Sequence, residues 1–296
     1  MAILFAGRSA TPSEFVEVPD VVVASNGRHY EIGDRIDAGG NGVVHQCTDV
    51  ADGGAYAIKF QLDLRNNRRL RFAREQELIS SLHHDHLIVY DNHGQIDGIK
   101  KRRGHAGGKG VTAPTDTTLP FIVMGLANSN LTGLVKSNSV QPEVFTAQFR
   151  GLAHALGELH KKAVHRDIKP DNILVIGDRW VLSDYGLCHP HDLDEADRFT
   201  PDWEVVGPRY WMSPEANNRS IGRSDVISPA SDVFQLASVF WFVVNRSHPT
   251  GILTRSDWQG PDALFDPIFE ALHHDITLRP SDGTEFAAKI DAAIHS

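Results

Sequence analysis

Residues 164–174 read VHRDIKPDNIL, and this stretch decides the fold. Within six positions it places a carboxylate at Asp167, a cation at Lys169 and a side-chain amide at Asn172. Transfer of a phosphoryl group needs a carboxylate that orients the attacking hydroxyl, a cation near the moving phosphate and a metal ligand nearby. The stretch therefore predicts a phosphoryl-transfer loop. The simpler alternative is a charged turn between apolar strands.

Further motifs stand in order on both sides of this loop. Each is weak alone, because an aspartate before an aromatic residue and glycine is also an ordinary turn, and a glycine-rich run is equally a plain hairpin turn. A lone strand lysine or helix carboxylate is usually solvated. The motifs are IDAGGNGVV at residues 36–44, AIK at 57–59, LSDYGL at 182–187, GPRYWMSPE at 207–215 and LRPS at 278–281.

In this order the motifs resemble the protein-kinase family, and in compactness the bacterial, eukaryotic-like serine/threonine protein kinases. The resemblance covers residues 30–292. It implies an α+β, bilobal fold, with a small N-lobe of five antiparallel strands and one main helix and a mainly helical C-lobe. It also implies transfer of the γ-phosphate of Mg-ATP to serine or threonine hydroxyls of proteins, autophosphorylation included. ATP and Mg²⁺ are the implied cofactors, with Mn²⁺ as a substitute.

The resemblance assigns chemical roles to six residues. Lys59 would hold the α and β phosphates, and Glu75 would hold Lys59 in place. The implied catalytic residues are Asp167, Lys169, Lys59 and Glu75, and the implied metal ligands are Asn172 and Asp184. Lys169 also favours the serine/threonine branch, because tyrosine kinases usually lack a lysine there.

The alignment of this sequence with the family motifs also implies an ATP site. Val44, Ala57 and Leu174 would sandwich the adenine, and Met124 would be the gatekeeper. The backbones of Gly125 and Ala127 would hydrogen-bond the base. The full predicted set is Ile36, Gly39, Gly40, Gly42, Val44, Ala57, Lys59, Met124, Gly125, Ala127 and Leu174. Asp37 replaces the first glycine of the family motif, which argues for weaker nucleotide affinity.

Other positions are implied to be regulatory or structural: Arg166, Thr200, Glu204, Glu215, Asp232 and Arg279. Asp232 would brace the catalytic loop, and Glu215 would pair with Arg279. Thr200 is the only serine or threonine between positions 187 and 212. We hypothesise that Glu204, with Asp202, serves Arg166 as a built-in anion, so that activation needs no phosphorylation. A solvated acidic loop is the equal alternative.

Composition limits the functional classes. The formal net charge of −9 argues against nucleic acid as the main partner, because phosphate-backbone binders carry a basic excess. Two cysteines cannot build a disulfide framework or a four-cysteine zinc site, which favours a reducing compartment. No apolar run is long enough to span a bilayer. We therefore expect a cytoplasmic protein.

The chain divides by pattern into three parts. Residues 1–28 form an N-terminal extension, in which Val16, Val18 and Val21–Val23 predict one extra strand. Residues 29–125 form the N-lobe, with a glycine-rich, basic and flexible insert at 97–118 and a helix at 68–82. Residues 126–296 form the C-lobe.

Two rival functions remain open at this stage. Asp37, Tyr185 and Pro208 depart from the family pattern and favour a pseudokinase, a nucleotide-binding scaffold without chemistry. Pro208 replaces a threonine that shapes the acceptor site. A small-molecule kinase of the aminoglycoside or choline type shares part of the loop, but Lys169 followed by Pro170 argues against it. The protein substrates are not specified by the sequence.

Overall fold

A computed structural model describes residues 1–6, 13–38, 42–102, 113–137, 140–191, 210–219, 221–223 and 225–295. The chain divides into two compact units. The first consists of Met1–Ser80 and Val89–Leu126, and the second of Ser81–Ile88 and Ala127–Ser296. The model therefore has a sheet-rich unit and a mainly helical unit, as the bilobal α+β prediction requires.

The described part of the first unit contains one antiparallel sheet of eight strands and one helix. The spatial order of the strands is β1-β2-β7-β8-β6-β5-β4-β3. The strands are β1 (Ala2–Leu4), β2 (Glu14–Val18), β3 (Val21–Val23), β4 (His29–Ala38), β5 (Gly42–Asp49), β6 (Ala55–Gln61), β7 (Tyr90–Arg102) and β8 (Thr115–Gly125). Helix α1 (Asn66–Ser81) confirms the helix predicted at residues 68–82.

The N-terminal prediction of one extra strand is wrong, because the described extension forms three. Pro19 and Asp20 interrupt the valine-rich run, and proline cannot donate to a strand ladder. β2 therefore ends at Val18 and pairs with β7, whereas β3 pairs with β4. The five strands predicted for the N-lobe at residues 29–125 are confirmed as β4–β8, and β1, β2 and β3 of the extension join them in one sheet.

The prediction of a flexible insert at residues 97–118 is also wrong for both ends of that range. Residues 97–102 belong to β7 and residues 115–118 to β8, paired from Asp97↔Thr118 to Lys100↔Thr115. The basic charges of β7 are balanced by glutamates of β2, because Lys101 lies 2.5 Å from Glu17. Residues 103–112 lie outside the described part of the chain.

The interior face of the sheet contains one buried histidine. The ring of His45 packs edge-on against Phe60, and its Nδ1 donates to the carbonyl of Gly33 at 3.0 Å. Its Nε2 has no hydrogen-bond partner among the described residues. Burial lowers the pKa of His45, and the bond to Gly33 opposes that shift only in part.

This histidine should make the fold sensitive to acid. The pKa of His45 is lower in the folded chain than the ordinary value of 6.5, so the unfolded chain binds this proton more readily. The free energy of unfolding therefore falls as the pH falls through and below 6.5. The loss is at most about 1.4 kcal/mol per pH unit. We expect His45→Leu to show a smaller stability difference between pH 7.5 and 5.5 than the unsubstituted protein, measured by urea denaturation. His29→Leu, at an exposed position of β4, is the control. An unchanged pH difference in His45→Leu would contradict the assignment.

The second unit is mainly helical. Its helices are α2 (Leu131–Lys136), α3 (Phe145–His160), α4 (Pro214–Arg219), α5 (Pro229–Asn245), α6 (Phe265–Ala271) and α7 (Gly283–His295). Its short strands are β9 (Ser129–Asn130), β10 (Ala163–Val164), β11 (Ile173–Ile176), β12 (Arg179–Leu182) and β13 (His189–Pro190). Of the helices described, none has both the length and the apolar character needed to cross a membrane.

Helix α5 runs through the core of this unit. Ser228 and Ser231 form a capping box at its start, and Pro229 occupies the first turn, where a missing N–H costs nothing. Phe240 on α5 stacks on Phe149 of α3 with ring centroids 3.9 Å apart. Helix α5 is apolar along most of its length. Its few buried polar side chains hold the backbone of the candidate site.

Candidate active site

The predicted phosphoryl-transfer loop is fastened to helix α5 by side-chain oxygens. Asp232 is fully buried, and it accepts the backbone N–H of His165 at 2.5 Å and that of Arg166 at 2.8 Å. One helical turn later, Gln235 accepts the N–H of Ile168 at 3.1 Å. Residues three apart share a helix face. Both side chains therefore satisfy loop N–H groups that would otherwise be buried without partners.

His160 supports the same carboxylate from the end of α3. The N–H of Gly283 donates to Nδ1 of His160 at 2.9 Å, so the ring proton lies on Nε2. Nε2 then donates to Asp232 at 3.0 Å. Asp232 is thus hydrogen-bonded from three directions, which fixes the loop backbone.

The three chemically informative residues of the loop lie together. Lys169 Nζ is 2.8 Å from Oδ2 of Asp167, and Asn172 Nδ2 is 2.9 Å from the same oxygen. Asn172 Nδ2 also donates to the backbone carbonyl of Asp167 at 2.8 Å. The Asp167 side chain is largely buried, whereas that of Lys169 is 27% exposed. The arrangement presents an oriented carboxylate with a cation beside it.

Asp184 follows the loop on a strained turn. Arg166 has φ 72° and Asp184 has φ 62°, both in the left-handed region, where a non-glycine residue costs about 1–3 kcal/mol. The turn is held by Ser183, whose N–H and Oγ both donate to the carbonyl of Asn172 at 2.9 Å. The Asp184 side chain is exposed, as a ligand for an incoming metal must be.

The donor set of this unit suits magnesium. Both hydrogen bonds of Asn172 to Asp167 use Nδ2, which leaves Oδ1 as the ligand atom, and Asp184 offers a carboxylate. Magnesium prefers oxygen ligands and keeps several waters. The described residues contain no group of three or more His, Cys, Asp or Glu side chains placed to hold a metal. A site of one carboxylate and one amide relies on phosphate oxygens and water for its other ligands.

Tyr185 stands where the family motif has phenylalanine. Tyr185 is buried, and the centroid of its ring lies 5.6 Å from that of His165. The Tyr185 hydroxyl donates a hydrogen bond to the carbonyl of Leu182 at 3.1 Å. The added hydroxyl is therefore satisfied, and this departure leaves the turn intact.

In the first unit, Lys59 and Glu75 are in direct contact. Nζ of Lys59 lies 2.5 Å from Oε1 of Glu75, and the side chains are 19% and 6% exposed. Glu75 lies on the buried face of α1 together with Phe72, Leu78 and Ile79. A carboxylate on that face is stable because a cation meets it there.

Several predicted nucleotide residues share one face of the sheet. Val44 is paired with Lys59, and Ala57 with Met124, so these four side chains project to the same side. Val43, Ile58 and Phe60 project to the opposite side, into the core. Gly42 begins β5, and Ile36 on β4 is exposed.

The remaining predicted contacts to the base are only partly available as proposed. The N–H of Gly125 is already donated to the carbonyl of Val89 at 2.9 Å, so this N–H is not available to a base. Ala127 and Leu174 belong to the second unit, where Leu174 lies on β11 opposite Val181.

Glu215 and Arg279 form a buried pair within the second unit. Each carboxylate oxygen lies 3.0 Å from a different guanidinium nitrogen, and Arg279 also donates to the carbonyls of His273 and His274. Burial would raise the pKa of Glu215, but its hydrogen bonds to Arg279 and Ser231 and the charge of Arg279 hold it below the ordinary value.

Four predicted residues lie outside the described part of the chain: Gly39, Gly40, Thr200 and Glu204. Asp202 and Pro208 lie outside it as well. The hypothesis that Glu204 serves Arg166 therefore stays a prediction.

The sequence did not reveal three supporting residues: His160, Ser183 and Gln235. A signal existed for Gln235, because a glutamine three positions after Asp232 in an otherwise apolar helix has to find a buried partner. His160 and Ser183 meet their partners only after the chain has folded, so no local pattern marks them.

Sequence comparison with known proteins also indicates a protein kinase. A family model described as protein kinase domain matches residues 30–259. A probable serine/threonine-protein kinase PknB of Bifidobacterium longum is 27% identical over 231 residues, which cover 75% of this chain and 31% of that protein. The serine/threonine-protein kinase PknB of Mycobacterium leprae is 26% identical over 228 residues, which cover 74% of this chain and 33% of that protein.

A third relative covers more of the chain. A probable serine/threonine-protein kinase of Streptomyces coelicolor is 27% identical over 290 residues, which cover 90% of this chain and 40% of that protein. The aligned region thus amounts to between 31% and 40% of the length of these three relatives.

Proposed function

The chain belongs to the protein kinase domain family, and from that premise we propose that it transfers the γ-phosphate of Mg·ATP to serine and threonine hydroxyls of proteins. The observation that carries the proposal is the Asp167 carboxylate, held beside Lys169 and Asn172 on a loop that Asp232 fixes. The names of the bacterial relatives support serine and threonine as acceptors.

Each residue has one task in this proposal. Asp167 orients the acceptor hydroxyl and receives its proton, while Lys169 balances negative charge on the transferring group. Lys59, held by Glu75, binds phosphate oxygens of ATP. Asn172 and Asp184 would hold the metal ion, which would supply positive charge to offset the charge that develops on the phosphates. Because little covalent help is needed, most of the catalysis is positioning and electrostatics.

We further propose that the protein phosphorylates itself and accepts Mn²⁺ in place of Mg²⁺. A reducing compartment such as the cytoplasm is the proposed location, because two cysteines cannot build a disulfide framework.

One assay separates this proposal from its rivals. The protein is incubated with γ-labelled ATP and Mg²⁺, in parallel with a generic protein acceptor and with small alcohols. Label on protein supports the proposal. Retained ATP binding without any transfer supports a pseudokinase, and label on small alcohols alone supports a small-molecule kinase.

Lys59 offers a sharper test with a matched control. Lys59→Met removes a charge-assisted contact worth about 1.5–3 kcal/mol, so kcat/KM should fall by about 10- to 100-fold. Nζ of Lys101 lies 2.5 Å from a carboxylate oxygen of Glu17, which is the same distance as in the Lys59–Glu75 pair. Lys101 lies in the same unit but has no assigned role. Lys101→Met should keep kcat/KM unchanged. Equal losses in the two variants would show that the effect of Lys59 is structural.

A further inference from the structure

The described N-terminal segment, residues 1–6 and 13–24, forms an integral part of the sheet that contains β4 and β5. β1 and β2 extend the sheet from β7, whereas β3 pairs with β4 at its other end. Only Pro19 and Asp20 separate β2 from β3, so this segment lies along both β7 and β4. The N–H of Ser25 also donates to the carbonyl of His93 on β7 at 2.8 Å, which joins the residue after this segment to β7.

One glycine of β7, Gly98, makes room for this segment. A Cβ at Gly98 would lie 2.8 Å from the carbonyl oxygen of Glu17, and also 2.8 Å from a methyl carbon of Val18. A Cβ at Gly94 would first meet the ring of Phe121 on β8, at 2.5 Å. Real Cβ atoms do not approach backbone oxygens this closely at Gly98, so the N-terminal strands fit only because this position lacks a side chain.

The segment shares one apolar cluster with the last residue of β4 and with β5. The buried members that the segment contributes are Leu4, Val16, Val18, Val22 and Ala24. Val43 of β5 belongs to the same cluster, and Ala38, the last residue of β4, packs against it. Ala38 and Val43 are paired across β4 and β5. Because packed interiors transmit displacement, the cluster restrains the end of β4 and the start of β5.

A second contact reaches β4 from the other side of the cluster. The guanidinium carbon of Arg35 lies 4.2 Å from the ring centroid of Phe5, a close cation–π geometry. Arg35 lies in the part of β4 where the register with β5 shifts twice, between Ile32 and Asp37. Such irregular pairing is weaker, so an outside contact has more influence there.

We propose that the described N-terminal segment positions β4 and β5 for nucleotide binding through the contact of Phe5 with Arg35, which makes Phe5 a positioning residue. The nucleotide role rests on the proposed function, because Ile36 on β4 and Val44 on β5 contact ATP only if the chain binds it. The competing explanation is that the segment merely stabilises the sheet.

The full chain provides a matched pair of substitutions. Phe5→Leu keeps an apolar side chain but removes the ring face, whereas Phe5→Trp keeps a ring. Phe15→Leu makes the same exchange on β2, which pairs with β7 and not with β4. The readouts are the dissociation constant of a non-hydrolysable Mg·ATP analogue, by calorimetry, and deuterium uptake over residues 29–38.

In Phe5→Leu we expect a two- to five-fold higher dissociation constant, roughly the factor that an exposed cation–π contact provides, with faster deuterium uptake in β4. Phe5→Trp should restore both values, and Phe15→Leu should change neither. Equal effects of Phe5→Leu and Phe15→Leu, or unchanged analogue affinity in Phe5→Leu, would overturn the inference alone. Failure of the unsubstituted protein to bind the analogue would overturn the proposed function and the nucleotide role together.

Discussion

Replacing Asp167 by asparagine should lower the kcat of phosphoryl transfer by about 10²- to 10⁴-fold, the range for loss of a positioned proton acceptor. Asparagine has the same shape, and its amide oxygen can still accept the hydrogen bonds that Lys169 and Asn172 now donate to Oδ2. It carries no charge and takes no proton from the attacking hydroxyl. The fold should therefore persist while the chemistry is lost.

The control lies four positions along the same loop. Asp171 is exposed, so Asp171→Asn makes the same chemical change without touching the buried constellation. Its kcat should stay within about two-fold of the unsubstituted value, as for ordinary surface substitutions. Single-turnover rates at saturating Mg·ATP separate the two variants. A kcat for Asp167→Asn within ten-fold of the unsubstituted value would remove Asp167 from the mechanism.

Replacing Arg279 by methionine should reduce the free energy of unfolding by about 3–5 kcal/mol, the cost of leaving a buried charge without its partner. Glu215 would lose both of its hydrogen bonds to the guanidinium, and the carbonyls of His273 and His274 would lose their donor. Chemical denaturation at pH 7.5 measures the loss.

The pH dependence identifies the cause of that loss. With Arg279 present, the pKa of Glu215 is lowered, so its contribution exists above the ordinary value of 4.5 and disappears as the pH falls through the folded value. Without Arg279, burial raises that pKa, and protonation relieves the buried charge. The deficit of Arg279→Met should therefore shrink from pH 7.5 toward pH 5.

A double variant completes this test. Glu215→Leu combined with Arg279→Met removes both charges and should be more stable than Arg279→Met alone. If the double variant loses as much as the sum of the two single variants, the pair is not coupled, and the assigned cause is wrong.

Contacts between residues of the predicted phosphoryl-transfer loop follow from the sequence because one short motif holds several interacting residues. Asp167, Lys169 and Asn172 lie within six positions, so the loop needs only the correct backbone path to bring them together. Helix α1 was also predictable, because its apolar spacing is a local signal. In both cases the deciding information lies within one turn or one helix.

The errors arose where pairing is remote in sequence. Residues 97–102 read as a polar loop, yet they form a strand because Lys101 meets Glu17, 84 positions away. Strand formation depends on such cross-strand neighbours more than on intrinsic preference. Residues 1–24 became three strands for the same reason, since β3 needs β4 and β2 needs β7.

The most direct measurement is the amount of phosphoserine and phosphothreonine formed on protein from γ-labelled Mg·ATP by three proteins compared side by side. These are the unsubstituted chain, Asp167→Asn and Asp171→Asn. The account predicts phosphorylated hydroxyls with the first and the third and near-background label with the second. Equal label with all three proteins, or none with the unsubstituted chain despite bound ATP, would contradict it.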